Sequence, residues 1–94
     1  MKRELHFPTP IYHFDIKDQS LNIQLEKDIL NWMNQDKGVN RTNVKGWHST
    51  TDMHTKPEYA RLVKALHEAQ DKIYVEEHYD SEPFLGNMWA NVNP

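Results

Sequence analysis

The first periodic set of apolar residues predicts an amphipathic helix over residues 20–34. Its members stand four residues apart, at Leu21, Leu25, Ile29 and Met33. This spacing places them on one face of a helix. Asp18 or Ser20 is available as the N-cap, and Gly38 is a plausible terminator.

A second set follows the same helical period and predicts a longer helix over residues 56–78. Its apolar positions are Tyr59, Leu62, Val63, Leu66, Ala69 and Ile73. Thr55 and Glu58 have the spacing of a capping box at its start. The polar residues after His78, together with Pro83, are expected to end it.

Two further segments alternate between apolar and polar residues, which is typical of strands with one exposed face. In residues 11–16 the apolar face holds Tyr12, Phe14 and Ile16. In residues 84–92 it holds Met88, Ala90 and Val92. The opposite face of that second strand carries Asn87, Trp89 and Asn91. Residues 35–46 favour turns, and a short strand from Val44 to Ser49 can follow them.

Together these elements predict an α+β fold in a single domain, residues 1–94, with two amphipathic helices packed on a small, mostly antiparallel sheet. The expected core comes from their apolar faces: Phe14, Leu25, Ile29, Leu62, Leu66, Ile73 and Met88. Because a chain of 94 residues buries only a small core, its stability is expected to be modest.

Composition narrows the functional classes. The net charge is -3, from 11 basic and 14 acidic residues mixed along the chain, which disfavours binding to nucleic acid or to an anionic membrane. The absence of cysteine excludes disulfides, thiolate metal sites and cysteine nucleophiles. No apolar stretch approaches the length of a membrane span or a signal-peptide core. The chain is therefore expected to be soluble and cytoplasmic.

One group of residues matches the ligand pattern of a non-haem iron site, which needs two histidines and a carboxylate. His13 and Asp15 form a His-x-Asp sequence, and His67 or His78 can serve as the distant ligand. We expect this match to be fortuitous, because the first pair stands in a strand and both partners stand on a helix.

A second group lies in the middle of the chain, where His48, Asp52 and His54 fall within seven residues. A loop can fold these side chains onto one ion, but local hydrogen bonding is the favoured interpretation. Trp89 and Asn91 share a strand face, and an aromatic beside an amide can line a polar pocket. The competing interpretation of that pair is a half-buried strand with its amides in solvent.

Three motifs occur in order along the chain. They are the run Phe7 to Tyr12, the run Gly46 to Ser49 with Asp52 and Met53 after it, and the run Met88 to Pro94. In order and spacing they resemble the N-terminal half of a small 2-oxoglutarate and Fe(II)-dependent oxygenase, of a type found in marine phages and bacteria. The resemblance covers nearly the whole chain. It implies the front part of a double-stranded β-helix, or jelly-roll, domain.

The resemblance also implies what this chain lacks. In that family the iron ligands and the basic residue that holds 2-oxoglutarate lie beyond the matched segment, so no catalytic or metal residue is assigned and the cofactor-binding residues are unknown. Fe(II) and 2-oxoglutarate are cofactors of the full-length family, and none is expected in this chain alone. The segment of His48 resembles a part of the scaffold near the pocket, and with Trp89 and Asn91 this histidine makes up the candidate pocket or substrate-side residues.

Two functions are compatible with that resemblance. One is a truncated, catalytically inactive domain that acts as an interaction or scaffold module. The other is a dioxygenase that hydroxylates an unknown substrate, either split between two chains or completed by further sequence. In each case the final strand has an open edge, so we expect a homo-oligomer or a protein partner that pairs with it. If a phage encodes the chain, it is expected in the host cytoplasm.

Overall fold

Two α-helices and two small antiparallel sheets make up the described part of the chain. The computed structural model describes residues 1–6, 9–39, 46–81 and 83–93. In chain order its elements are β1 (Lys2–His6), β2 (Thr9–His13), α1 (Gln19–Gln35), β3 (Trp47–His48), α2 (Ala60–Glu77) and β4 (Asn91–Val92). The α+β class is confirmed. Outside the described residues lie part of the predicted turn, the start of the strand predicted from Val44, and the motif residues Phe7, Pro8 and Pro94.

Helix α1 confirms the first predicted helix. Asp18 caps it from an extended backbone, because its Oδ1 accepts the N–H of Leu21 at 3.1 Å. Gly38 is not its terminator, since the helix ends at Gln35 and Asp36 is already extended. Gly38 instead has a φ of 73°, and its N–H donates to Asp36 Oδ1 at 2.8 Å. This turn directs the chain back towards β3.

Helix α2 begins later than predicted, after two short 3₁₀ turns at Met53–Thr55 and Pro57–Tyr59. The capping-box prediction is wrong, because the Thr55 hydroxyl donates to the Asp52 carbonyl oxygen at 2.7 Å instead of capping α2. At the other end His78 adopts the left-handed conformation, which closes the helix without a glycine. Within the described residues, neither helix carries an apolar run that would let it traverse a bilayer.

The strands form two separate antiparallel pairs. β1 pairs with β2, with Arg3 opposite Tyr12, and β3 pairs with β4, with His48 opposite Asn91. β1 was not predicted, because its sequence has no apolar alternation, and β2 ends at His13, short of the predicted end. Of the strand predicted over residues 84–92, only Asn91–Val92 is a strand. The apolar side of this segment is less exposed than its polar side, as predicted, and consists of Met88, Ala90 and Val92.

Aromatic side chains form the centre of the core. Trp32 of α1 meets Trp47 of β3 edge to face, with ring centroids 5.4 Å apart, and its centroid lies 5.7 Å from that of Tyr59. Met53 and Ala90 complete this cluster. Tyr59 is only 1% exposed. Its burial, with smaller contributions from nearby carboxylates, raises the pKa of the phenol to about 12.

The predicted core lies beside this centre rather than in it. Four of the predicted residues pack against its edge: Leu25, Ile29, Leu62 and Met88. Leu66 and Ile73 are half-buried and lie outside the cluster. Phe14 is 36% exposed, so its assignment to the core was wrong. It follows the end of β2, where no partner strand fixes the face to which its side chain points.

Candidate functional site

Strand β3 separates a buried face from an exposed one. Trp47 is buried, and its indole N–H donates to the Asp36 carbonyl oxygen at 2.8 Å. Because successive strand residues alternate, His48 points to the opposite face. The His48 carbonyl oxygen accepts the N–H of Val39 at 2.6 Å. The segment after α1 therefore holds one edge of β3.

Ser49 ties the other edge of β3 to the segment before β4. Its N–H donates to the Ala90 carbonyl oxygen at 2.9 Å, and its hydroxyl accepts the Ala90 N–H at 2.8 Å. The same hydroxyl donates to the Thr50 carbonyl oxygen at 2.8 Å. Ser49 is fully buried. Its hydroxyl accepts the Ala90 N–H, which a backbone carbonyl would accept in a regular ladder. It thereby fixes the position of β4 beside β3.

The three residues predicted at the pocket project from the exposed face of this sheet. The rings of His48 and Trp89 stack, with centroids 5.7 Å apart and planes inclined by 16°. Asn91 stands opposite His48 in the ladder. It also follows Trp89 by two residues, so it shares the same face. Trp89 is 49% exposed, which leaves much of its indole accessible.

A cleft of about 340 Å³ opens beside the stacked rings. Thr51 and Asn87 line it together with His48 and Trp89, whereas Asn91 lies on the same face outside the lining. The alternation of residues 84–92 already placed Asn87 on this face. Nothing in the sequence indicated Thr51, because it lies in the loop after β3 and reaches the cleft only through the fold.

A larger groove of about 540 Å³ runs along the start of α2. Its lining mixes basic and acidic side chains, among them Lys64, His67, Glu68 and Asp71. His54 also faces it, and its Nδ1 is buried with no hydrogen-bond partner among the described residues. This mixture favours neither an anion nor a cation. The smaller cleft, whose side chains converge on one stacked pair, is the better candidate site.

The two histidine groups singled out in the sequence are not assembled. His48 and His54 line different clefts. Asp52 accepts the Thr50 hydroxyl at 2.6 Å, and this hydrogen bond holds the pKa of its carboxyl below the usual range. His48 and Asp52 thus make local hydrogen bonds, while His54 faces the groove along α2.

The two residues of the N-terminal His-x-Asp pattern, His13 and Asp15, also contact other groups. His13 Nε2 lies 3.3 Å from a carboxylate oxygen of Glu4, and Asp15 accepts the N–H of Lys17 at 3.0 Å. Across residues 1–6, 9–39, 46–81 and 83–93, no three histidine or carboxylate side chains are placed to hold a metal ion. The described residues therefore do not fit the Fe(II) that the family resemblance implies.

Comparison of the chain with protein-family models, with curated proteins and with solved structures gave no match. The resemblance to oxygenases thus rests on the three motifs. Two of these motifs meet in space, because one contains β3 and the other contains β4. The candidate site lies at this meeting point, and its chemistry is argued from its own residues.

Proposed function

We propose that this chain is an interaction module of the 2-oxoglutarate/Fe(II) oxygenase type, which pairs with a second copy of itself through the outer edge of β4. The motif resemblance supports the oxygenase-type architecture. In the double-stranded β-helix that the resemblance implies, neighbouring strands cover such an edge, and a second copy is the partner proposed for it in this protein. The proposed location is the cytoplasm, that of the host if a phage encodes the chain.

The backbone of residues 88–92 is the observation that carries this proposal. Met88 donates its N–H to the Thr51 carbonyl oxygen at 3.0 Å and accepts the N–H of Met53 at 3.1 Å. Ala90 makes both of its backbone hydrogen bonds to Ser49. Every second residue thus turns its N–H and C=O towards the β3 side.

The intervening residues point the other way. By the same alternation, Trp89 and Asn91 direct their N–H and C=O groups outward, and no hydrogen bond joins these groups to another described residue. Residues two apart with outward donors and acceptors are what an added strand needs. β4 therefore has an edge that accepts an antiparallel partner.

Charge supports a second copy as that partner. Residues 83–93 contain no Asp, Glu, Lys or Arg, whereas 27% of the whole chain is charged. Exposed edges are usually protected against pairing by charged side chains, especially Lys. Two uncharged edges can pair about a two-fold axis without like-charge repulsion, and each supplies the donors that the other accepts.

The test is the mass of the protein in solution by light scattering at micromolar concentration. We expect a dimer for the natural chain and a monomer for Asn91→Pro, because proline removes the outward N–H and leaves the inward N–H of its neighbours. The matched control is Asn91→Ala, which loses the side chain but keeps the N–H and should remain dimeric. A monomeric natural chain, or a folded Asn91→Pro variant that is still a dimer, would contradict the proposal.

A second candidate function, one part of a working dioxygenase, is favoured by the shared face of His48, Trp89 and Asn91. The resemblance places the segment of His48 near the pocket, and Trp89 and Asn91 are the further candidate substrate-side residues on this face. Anaerobic titration with Fe(II) and 2-oxoglutarate, followed by a succinate assay in air, tests it. We expect neither a visible charge-transfer band nor succinate from this chain alone. A band that appears only after a separate iron-binding chain is added would favour the split enzyme over the interaction module.

A further inference from the structure

The cleft beside the stacked rings has a flat aromatic wall. His48 covers part of the Trp89 indole, with the two planes inclined by only 16°. Trp89 nevertheless stays 49% exposed, although an isolated tryptophan at a strand is more often packed against its neighbours. The accessible indole surface is therefore held in a fixed orientation by the imidazole and is open to a ligand.

Polar groups surround this wall. The Nδ1 of His48 lies 2.6 Å from the Ser49 carbonyl oxygen. A carbonyl oxygen only accepts hydrogen bonds, so Nδ1 carries the proton of the neutral ring and Nε2 is left as an acceptor. None of the hydrogen bonds among the described residues involves the Thr51 hydroxyl or the Asn87 side-chain amide, and both groups line the cleft. Each of these two groups can donate and accept.

Charge and size restrict the ligand. None of the side chains that line the cleft is an Asp, Glu, Lys or Arg, so no permanently charged group there pairs with a phosphate or a carboxylate. The net charge of -3 adds to this preference against anions. A volume of about 340 Å³ lies at the lower end of the range of ligand pockets, roughly 300–1,000 Å³. The cleft therefore suits a small, uncharged, polar ligand.

We infer that this cleft binds a saccharide, an uncharged ring with an apolar C–H face and hydroxyl groups around its rim. The C–H face packs on the Trp89 indole. The hydroxyls donate to His48 Nε2 and exchange hydrogen bonds with Asn87 and Thr51. A nucleotide fits less well, because its base would stack on the same indole but its phosphate would meet no lysine or arginine of the lining. The inference names a ligand class for the face that the dioxygenase proposal treats as its substrate side, yet it requires neither iron nor association through β4.

The test is an NMR titration of the full chain with methyl glycosides of glucose, galactose, mannose and N-acetylglucosamine. Adenosine serves as the uncharged aromatic competitor for the same surface. We expect saturable shifts of the Trp89 indole N–H and the Asn87 side-chain amide with at least one glycoside. Trp89→Ala should weaken this binding by about tenfold or more, as loss of a stacking aromatic does. Asn87→Ala should weaken it while the fold is retained.

Phe84→Ala is the matched control, because Phe84 is an aromatic of the same segment, 83% exposed, that does not line the cleft. Its variant should bind the glycoside as the natural chain does. The inference is overturned if no glycoside gives saturable shifts, if adenosine alone does, or if Trp89→Ala binds with unchanged affinity. The NMR shifts report ligand binding in the cleft, whereas light scattering of Asn91→Pro reports association through β4. A negative result for saccharide binding is therefore distinguishable from a negative result for dimer formation.

Discussion

The sheet formed by β3 and β4 and the hairpin formed by β1 and β2 are held in place by different forces. The first sheet has its inner face in the aromatic cluster, where Trp47 and Ala90 are buried. The hairpin is joined to α2 through a polar contact, in which the Tyr12 hydroxyl donates to the Glu77 carboxylate and Arg3 Nε donates to the same oxygen at 3.0 Å. Burial of aromatic surface stabilises a fold far more than exposed ion pairs do.

The other contacts of the hairpin have the same character. Glu4 pairs with Lys2 at 2.8 Å and with His6 at 3.2 Å, and the hydrogen bonds with Lys2 and His6 are the main reasons that the pKa of Glu4 is lowered. Leu5 and Ile11 remain 57% and 41% exposed. The β3–β4 sheet therefore belongs to the cooperative core, whereas the hairpin should open without unfolding the rest.

The strongest test of this difference compares two aromatic residues. Trp47→Ala should lower the free energy of unfolding by about 3–5 kcal/mol, because it leaves a cavity beside Trp32 and removes the hydrogen bond to Asp36. Phe14→Ala, just beyond the hairpin, should cost at most about 1.5 kcal/mol. Urea denaturation followed by circular dichroism measures both. Equal losses would show that the hairpin end is as much a part of the core as β3 is.

Gly38 and Gly86 differ in the space available for a side chain, and Gly38 lies against β3. In Gly38→Ala the new Cβ would lie 2.6 Å from the Trp47 indole nitrogen and closer still to the His48 carbonyl oxygen, at a φ of +73°. Strain and crowding together should cost about 2–4 kcal/mol. Gly86→Ala is the control, since a Cβ there meets nothing within 4 Å, and it should be neutral or stabilise by up to about 1 kcal/mol. If Gly38→Ala unfolds with an unchanged free energy, the turn after α1 does not pack tightly against Trp47 and His48 of β3.

A serine pair tests the link between β3 and β4. Ser49→Ala leaves the buried N–H of Ala90 without its acceptor, which should cost about 1–3 kcal/mol. Ser20→Ala is the control, because Ser20 is exposed and, among the described residues, its hydroxyl makes only exposed hydrogen bonds, donating to Asp18 and accepting from Arg61 of α2. It should change stability by no more than about 0.5 kcal/mol. If thermal unfolding gives the two variants the same midpoint, the Ser49 hydroxyl has no special role in placing β4.

The smallest effect on stability is expected at the hairpin contact. Glu77→Gln weakens the acceptor for Tyr12 and Arg3, and it should cost less than about 1 kcal/mol overall. Hydrogen exchange of the β1 and β2 amides should nevertheless become faster, while exchange in the core stays unchanged. Glu76→Gln, at the exposed neighbouring position, is the control and should alter neither. Faster exchange throughout the molecule would place the hairpin inside the cooperative unit.

Local patterns predicted those parts of the structure that depend on one segment at a time. The four-residue spacing from Leu21 to Met33 predicted α1, and Asp18 caps it as one of the two residues proposed. The alternation of residues 84–92 predicted that Trp89 and Asn91 share one face. In the structure this face lies beside His48, which pairs with Asn91 and stacks on Trp89. The prediction failed for β1, which is held by pairing with β2 rather than by an apolar pattern of its own.

The sequence by itself determined the helical and alternating faces, because the period of apolar residues fixes which side chains can be buried together. It also determined the uncharged edge of residues 83–93 and the net charge of -3. Only the tertiary structure decided which faces meet. It stacked His48 on Trp89, residues 41 positions apart, and brought Thr51 to the same cleft. Such contacts depend on how the chain closes around Trp32, Trp47 and Tyr59, and no local period encodes that closure.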